Sequence, residues 1–435
     1  MNDRRTPLAL IFAIVFTVPL YFNFYVVGQY DLGKIIALYG LTGIMLPFVL
    51  WQYKQFRLYL SQPLIISVLA FLFASCLSTI FSIDPSTSFF GCVRRYDGLL
   101  SLFVYVFIFF SVINYVEVDI VSVLCDVVII AACIASVYGV LQHYELDLYY
   151  QPTDFGSGRR VISTFGHPCF FSGFLVMVIP LAISRFVSGS GWRYLPAMIL
   201  MIVALYMAKT RGAFVGFAVS SIFFFIVSRR HYHINRREFL LSIVLVIGLT
   251  IAFNVSKQNT VLTRFKGDIK ATGASVQTSG TAAIRLFNSR IGLAIIKDYP
   301  LLGVGQDNLD KVFLKYIAKS YLGVDTSLDQ AKQLMVVSNG EKRWFINQSR
   351  IHQDFVDLGV TRGLLGIAAY LFMIYTFGIL VWKKCKQSNI LVIGLVSGLV
   401  ASFIQRQFLF THIADAMLYW VMIGLVFVVC RKDPA

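Results

Sequence analysis

Hydrophobic and polar positions divide this chain into long apolar runs joined by short polar connections. Twelve runs approach the length of about 20 residues that a helix needs to cross a membrane. Lipid offers no hydrogen-bond partner to the backbone, so we expect each run to be an α-helix. The predicted spans are 7–29, 35–53, 61–83, 99–116, 119–141, 167–184, 194–209, 211–228, 239–255, 363–382, 390–408 and 414–430.

One long polar interval, residues 255–350, interrupts this pattern. The pattern therefore predicts an all-α integral membrane protein with about twelve transmembrane helices and a large, partly helical loop between helices nine and ten. We divide the chain into nine helices at 1–254, the loop at 255–350, and a histidine motif with three helices at 351–435. Within the loop, residues 284–298 have apolar positions at helical spacing, which predicts an amphipathic helix lying on the membrane or on the bundle.

Composition supports this fold class, and the distribution of charge argues against a nucleic-acid partner. Hydrophobic residues make up 57% of the chain and charged residues only 14%, whereas a soluble domain has about 25% charged residues. The formal net charge of +16 would suit nucleic acid. The basic residues are spread over many loops rather than gathered in one stripe, so we expect no nucleic-acid partner.

Lys and Arg in the short loops predict the orientation of the chain. With twelve spans, six basic groups fall on one side, which we predict to be cytoplasmic together with both termini. The loop 255–350 then lies outside, because long loops are translocated largely regardless of charge. The six groups are Arg4-Arg5, Lys54 with Arg57, Arg185 with Arg193, residues 229–237, residues 383–386 and Arg431-Lys432.

Arginines on the outer side are candidates for phosphate binding, because a guanidinium forms bidentate hydrogen bonds with phosphate oxygens. Arg211 lies in a tight turn between two spans, so we expect its charge near the hydrocarbon boundary, where charges are costly and usually functional. Arg95 and the pair Arg159-Arg160 lie in other outer loops. The alternative for each is an anchor to lipid headgroups or to a helix end.

His352 is the best candidate for acid–base chemistry. It lies where hydrophobic sequence resumes after the polar interval, and histidine accepts a proton near neutral pH. Asp354 and Asp357 could orient it, and a purely structural histidine is the alternative. His167 opens a predicted helix and is a weaker candidate, while His412 is interpreted as isolated. The outer loops show no metal-ligand spacing and the chain has no P-loop, so we expect neither a metal nor a nucleotide cofactor.

Four segments carry short motifs: 163–168 (STFGHP); 209–213 (KTRGA); Arg285 with 298–305 (DYPLLGVG); and His352-Gln353 followed after nine residues by 363–366 (GLLG). In this order they resemble the TFGNPN, SRGA, R…PLLGVG and histidine motifs of the bacterial O-antigen ligase and O-antigen polymerase superfamily. Residues 95–98 also resemble an R-x-x-G turn of some members. Thr210 stands where serine is usual, and His167 and Cys169 replace two asparagines.

The resemblance implies a metal-independent, membrane-embedded glycosyltransferase of the C type. Such enzymes take a glycan from undecaprenyl diphosphate on the periplasmic face of the bacterial inner membrane and invert the anomeric configuration. By motif, His352 would deprotonate the acceptor hydroxyl, and Arg211 and Arg285 would hold the diphosphate beneath the loop. We expect further substrate contacts from Arg95, Arg159 and Arg160, and supporting roles for Gln353, Asp354 and His167.

The acceptor stays open, because ligases, polymerases and protein O-oligosaccharyltransferases share these motifs. No soluble extension follows the last predicted span, which favours a lipid A-core sugar as acceptor. A polymerase that extends lipid-linked repeat units is the second interpretation. A non-enzymatic glycolipid transporter is the alternative from another class, but carriers tend to have two similar halves and charged sites at mid-membrane. Here the halves differ and the candidate charges gather at the outer face.

Overall fold

The computed structural model describes residues 4–23, 30–92, 95–147, 160–229, 236–255, 281–317, 319, 350–384 and 390–431. All regular secondary structure in these ranges is helical. The long helices are α1 Arg5–Leu20, α2 Tyr30–Trp51, α3 Pro63–Ile80, α5 Leu99–Tyr115, α6 Val118–His143, α7 Pro168–Arg185, α8 Tyr194–Ala208, α9 Arg211–Ser228, α10 Arg236–Val255, α13 Asp354–Lys384, α14 Ile390–Arg406 and α15 Ile413–Cys430. Three further α-helices, α4 Pro85–Phe90, α11 Thr281–Asp298 and α12 Leu309–Ile317, lie in the connections, together with a 3₁₀ turn at Ser163–Phe165 and a π turn at Phe186–Ser190.

Each predicted span overlaps one of the long helices, with bounds that differ by several residues in places. Seven of the described helices are long and apolar enough to cross a membrane, and α1, α5, α8 and α14 are shorter apolar helices at predicted spans. The prediction of an all-helical protein with several membrane-spanning helices is therefore confirmed for the described residues. The number of crossings, the three-part division and the side of each loop stay predictions. Helix α13 begins at Asp354, earlier than the span predicted at 363–382.

Helices α7 and α15 form the centre of the bundle, where 89% of the apolar stretch of each is buried. Helix α14 packs against α7 and α9, and α15 packs against α5. On α14, Gly394 and Gly398 lie one turn apart against α7. A Cβ added to Gly398 would overlap the Met177 carbonyl, and one added to Gly394 would lie 2.5 Å from Ser184 Oγ. Small residues at this spacing allow two membrane helices to pack backbone against backbone.

Helix α13 is broken at Gly363, whose φ of 66° and ψ of −168° are not helical. Gly363 adopts this positive φ beside the Leu301 carbonyl because it has no Cβ. The segment 300–305 forms four backbone hydrogen bonds of 2.7–3.2 Å with the two halves of the helix, so these groups remain paired across the break. The bonds run from Val304 N to Val360 O, from Gly305 N to Thr361 O, from Leu364 N to Pro300 O and from Leu365 N to Leu301 O.

The amphipathic helix predicted at 284–298 corresponds to α11, which ends at Asp298 just before Pro300. It packs against α13, so it lies on the bundle. Helices α11 and α12 and the start of α13 enclose a second hydrophobic cluster, in which Ile295 and Phe313 are fully buried. Part of the polar interval is thus a packed unit at one end of the bundle.

Replacing Gly398 with alanine should lower the free energy of unfolding by about 1–3 kcal/mol, because the added methyl overlaps the backbone of α7. Gly378→Ala on α13 is the matched control, since no atom lies within 4 Å of its added Cβ. Thermal unfolding of both purified variants in detergent measures the difference. Equal melting temperatures would contradict the close packing of α14 on α7.

Candidate active site

Connecting segments from many parts of the chain meet at one end of the bundle, which we term the site end. The segment 299–308 hydrogen-bonds to the loop after α3 and to the break in α13. The segment 160–168 hydrogen-bonds to the end of α1 and to the α8–α9 turn. The described candidates therefore lie at this end of the bundle, while Arg159 lies outside the described residues. These candidates are Arg95, Arg160, His167, Arg211, Arg285, His352, Gln353 and Asp354.

Arg350 binds three carboxylates from three separate parts of the chain. Its guanidinium contacts Asp97 and Asp307 at 2.7 Å and Asp357 at 2.8 Å. The Asp307 side chain is fully buried, and that of Arg350 is 7% exposed. Asp307 also accepts a hydrogen bond from the backbone N–H of Cys92 at 3.0 Å. This cluster fixes the chain immediately before the candidate histidine.

The charge of Arg350 is permanent in this cluster. Burial lowers the pKa of Arg350, but the charges of Asp307, Asp357 and Asp97 outweigh burial and raise the pKa well above its ordinary value. Removing the guanidinium would leave buried carboxylates without a counter-ion. No sequence pattern pointed to this cluster, because spacing along the chain gives no signal for a contact such as Asp97–Arg350, across 253 positions.

The His352 imidazole is held by the backbone. Its φ of 63° lies in the left-handed region, which histidine tolerates better than most non-glycine residues. Its Nδ1 lies 3.1 Å from the carbonyl oxygen of Arg350. A carbonyl oxygen only accepts hydrogen bonds, so Nδ1 carries the proton and Nε2 is the basic nitrogen of the neutral ring. The imidazole is therefore fixed in a tautomer that suits a general base.

His352 is neutral at pH 7. Burial is the main reason that its pKa falls to about 4, from an ordinary 6.5. The hydrogen bond with the Arg350 carbonyl opposes this shift, while the positive charges of Arg285 and Arg95 lower the pKa further. The two arginines thus act electrostatically on the candidate base, as expected if all three residues belong to one site.

Phe410 connects His352 to Arg95. The imidazole packs edge-on against the Phe410 ring, with centroids 5.0 Å apart. The Arg95 guanidinium lies 3.9 Å from the centroid of the same ring, which is a cation–π contact. The aromatic ring thereby holds the guanidinium and the imidazole next to each other.

His412 and Asp31 form a second polar pair at the site end. The Nδ1 of His412 accepts a hydrogen bond from the backbone N–H of Ala414 at 3.4 Å, so its Nε2–H donates to Asp31 Oδ1 at 2.7 Å. The ring stacks on Phe170, which contacts Phe410 in turn. The expectation that His412 is isolated is therefore wrong. Its position just before the last span was the available signal, because it caps the N-terminus of α15.

Arg160 supports the α8–α9 turn that precedes Arg211. Its Nε donates to the last carbonyl of α8 at 3.1 Å, and its Nη2 donates to Thr210 Oγ1 at 3.1 Å. The glycine after Arg211 lies against the 407–412 segment, where an added Cβ would be 2.8 Å from a side-chain carbon. This turn therefore borders the same segment that contacts His352.

The three supporting candidates all have structural partners. His167 caps α7, because its Nδ1 accepts a hydrogen bond from a backbone N–H of the first turn at 3.2 Å. Gln353 accepts a hydrogen bond from Ser289 on α11 at 3.0 Å. Asp354 forms an ion pair with Arg406 at 3.1 Å. The imidazole is thus oriented by a backbone carbonyl, whereas the sequence pointed to Asp354 or Asp357 for that role.

A polar cavity of about 90 Å³ lies inside the bundle next to Phe410. Three carboxylates and three guanidinium groups line it, so their charges balance, and Trp420 adds an aromatic wall. The Tyr105 hydroxyl is buried at this wall and has no hydrogen-bond partner in the described part of the chain. Such a lining suits a neutral ligand with hydroxyl groups. The charged residues are Asp97, Asp354, Asp357, Arg350, Arg362 and Arg406.

Within the residues that the structure describes, no group of three or more His, Cys, Asp or Glu side chains could hold a metal ion.

Arg350→Ala should lower the free energy of unfolding by about 3–5 kcal/mol, because it leaves three carboxylates without their shared partner. The control is Arg229→Ala, which removes an exposed arginine at the other end of the bundle. Melting temperatures of the purified variants in detergent provide the measurement. An Arg350→Ala protein as stable as the control would show that the cluster does not support the fold.

Comparison with known proteins bears on the central part of the chain. Residues 196–371 match a family model described as O-antigen ligase. The matched segment runs from α8 into the second half of α13 and includes Arg211, Arg285 and His352. It leaves out Arg95 and Arg160. No curated protein matches the chain. The match confirms the resemblance that the motifs indicated.

Proposed function

We propose that this chain, whose residues 196–371 match the O-antigen ligase family model, transfers a glycan from undecaprenyl diphosphate to a hydroxyl of a lipid A-core sugar. The family itself implies a ligase- or polymerase-type glycosyltransferase. In the proposal, the site end faces the periplasm of a bacterium and the protein lies in the inner membrane. A lipid-linked donor needs no nucleotide, because its diphosphate already activates the sugar.

The observation that carries the proposal is a neutral imidazole flanked by positive charge. His352 presents Nε2 as its basic nitrogen, since Nδ1 donates to a carbonyl. Arg285 and Arg95 act on the same imidazole through their charges. A base beside two guanidinium groups is the arrangement that attack of a hydroxyl on a glycosyl diphosphate requires.

The proposed reaction is a single displacement. His352 Nε2 accepts the proton of the acceptor hydroxyl as the oxygen attacks the anomeric carbon. The bond from that carbon to the diphosphate oxygen breaks, and its electron pair stays on the leaving diphosphate. Arg211, Arg285 and Arg95 stabilise the added negative charge. One displacement inverts the anomeric configuration.

Donor binding should also strengthen the base. In the free protein the pKa of His352 is about 4, which makes the imidazole a weak proton acceptor. A diphosphate beside Arg285 and Arg95 would compensate the positive charges that lower this pKa, and nearby negative charge favours the protonated imidazole. The imidazole would thus gain basicity when the donor is in place, which restricts proton abstraction to the complex that can react.

The polar cavity beside Phe410, about 90 Å³ in volume, is the proposed place for a hydroxyl-bearing edge of the acceptor sugar. Its carboxylates and guanidinium groups balance in charge, which suits a neutral sugar. Trp420, the tyrosines and the buried Tyr105 hydroxyl match the mixed apolar and hydroxyl surface of a sugar ring. Helix α11 would cover the donor, because it carries Arg285 and is joined to Gln353 by the Ser289 hydrogen bond.

His352→Ala should reduce glycan transfer by about 10²–10⁴-fold, since the acceptor hydroxyl loses its base. His143→Ala, at the end of α6, is the control histidine because it lies outside the candidate machinery. Transfer is measured in proteoliposomes that contain undecaprenyl-diphosphate glycan and lipid A-core. Undiminished transfer by His352→Ala at normal protein level would refute its role as the base.

The products distinguish the alternatives. Glycan on lipid A-core identifies a ligase, a lengthened lipid-linked glycan identifies a polymerase, and glycan on an added protein identifies a protein O-oligosaccharyltransferase. Movement of the donor across the bilayer without any transfer would identify a transporter and end the proposal.

The acidic limb of kcat/KM should lie well below pH 6.5, because the lowered pKa of His352 keeps the imidazole unprotonated down to about pH 4. Arg285→Gln should move this limb to higher pH, since one of the charges that lower the pKa is removed. Arg290→Gln is the matched control, because Arg290 is exposed on the same helix. The measurement is the pH profile of transfer by all three proteins. An identical limb for both variants would contradict the electrostatic link.

A further inference from the structure

A second cavity lies at the opposite end of the bundle from the site end. It has a volume of about 810 Å³ and lies between the start of α1, the α2–α3 loop and the ends of α5 and α15. Four basic side chains and one acidic side chain line it, which leaves a clear excess of positive charge. These residues are Arg4, Lys54, Arg57, Arg431 and Glu117.

Contacts with α5 and α15 fix the α2–α3 loop at the base of the cavity. Asn114 on α5 binds the backbone of Arg57 in both directions: its Oδ1 accepts from the Arg57 N–H at 2.8 Å, and its Nδ2 donates to the Arg57 carbonyl at 3.1 Å. Arg431 lies 4.3 Å from the centroid of the Tyr59 ring and donates to the carbonyl of Ile113 at 3.3 Å. The α2–α3 loop is therefore anchored to two helices, and its basic side chains are presented from a defined position.

The acidic residue does not neutralise this charge. Glu117 pairs with Arg4 at 3.6 Å, and both side chains are more than half exposed. Lys54 and Arg57 are exposed at the same cavity. Guanidinium groups bind phosphate oxygens through paired hydrogen bonds, and an ammonium adds a point charge. The chemistry of the cavity is thus that of a phosphate site.

The surroundings of the cavity indicate where such a phosphate would come from. Trp51 and Tyr53, next to Lys54, are 87% and 65% exposed, and Leu58 and Leu60 are exposed beyond Arg57. Exposed tryptophan and tyrosine at the end of a membrane helix are typical of the lipid–water interface. The cavity therefore opens at the level of lipid headgroups. Its volume lies within the range of about 300–1,000 Å³ that ligand sites have.

We infer that this cavity binds the phosphate headgroup of an anionic membrane lipid. The basic groups of Lys54, Arg57 and Arg431 surround the phosphate, and the exposed residues beside them contact the acyl region. The occupant joins the α2–α3 loop to the ends of α5 and α15. This site is separate from the proposed glycan transfer and does not depend on it.

The test is a titration of the full chain, purified in neutral detergent, with phosphatidylglycerol, phosphatidylcholine or inorganic phosphate. Phosphatidylglycerol should raise the melting temperature more than phosphatidylcholine does. Arg57→Gln should raise the phosphatidylglycerol concentration at half effect about fivefold, as expected for one basic group at a membrane surface. Arg229→Gln, an exposed arginine at the same end but outside the cavity, is the matched control and should leave it unchanged.

Two outcomes would overturn the inference. An equal response of Arg57→Gln and Arg229→Gln to phosphatidylglycerol would show that the cavity is not the binding site. A shift with inorganic phosphate as large as that with phosphatidylglycerol, and lost in Arg57→Gln, would assign the cavity to a soluble phosphate compound. Neither readout uses glycan transfer, so failure here leaves the proposed enzymatic activity untouched.

Discussion

The interaction on which the site end depends is that of Arg350 with Asp97, Asp307 and Asp357. These carboxylates come from the loop before α5, the segment before α12 and the start of α13, so one guanidinium joins three elements that are remote in sequence. The same residue holds the His352 imidazole through its carbonyl oxygen. The side chain and the backbone of Arg350 therefore have different roles. The guanidinium holds the three segments together, and the carbonyl oxygen determines which imidazole nitrogen is basic.

Charge is organised differently on the two sides of Phe410. In the polar cavity, carboxylates and guanidinium groups are equal in number and several are paired directly, as in Arg406–Asp354. At the imidazole, Arg285 and Arg95 lower the pKa while Asp357 raises it, and the net effect is that of positive charge. For the proposed glycan transfer, a neutral sugar and an anionic diphosphate would therefore find distinct surroundings within one site.

Hydropathy along the chain was enough to predict the helices, because the need to pair every backbone group in lipid leaves few alternatives. The helix at 284–298 was predicted for a similar local reason, its apolar spacing, and Arg211 was proposed as a site residue because of the short turn that holds it. The Arg350 cluster, Phe410 and the pair Asp31–His412 were not found, because each depends on residues brought together only by the packing of helices distant in sequence. The small hydrophobic core within the polar interval was also missed, because its apolar residues are scattered among charged ones in the sequence.

The interrupted helix α13 has a consequence for the order of synthesis. The segment 300–305, which pairs with the backbone on both sides of Gly363, leaves the ribosome before α13 does. The loop after α3 pairs with this segment, since Ile83 N–H donates to the carbonyl of Val304 at 3.2 Å. This loop is synthesised earlier still. Each docking surface is thus already present when the element that needs it emerges. A circularly permuted chain that began with α13 would expose the unpaired groups of this helix to lipid until the rest of the protein had been translated.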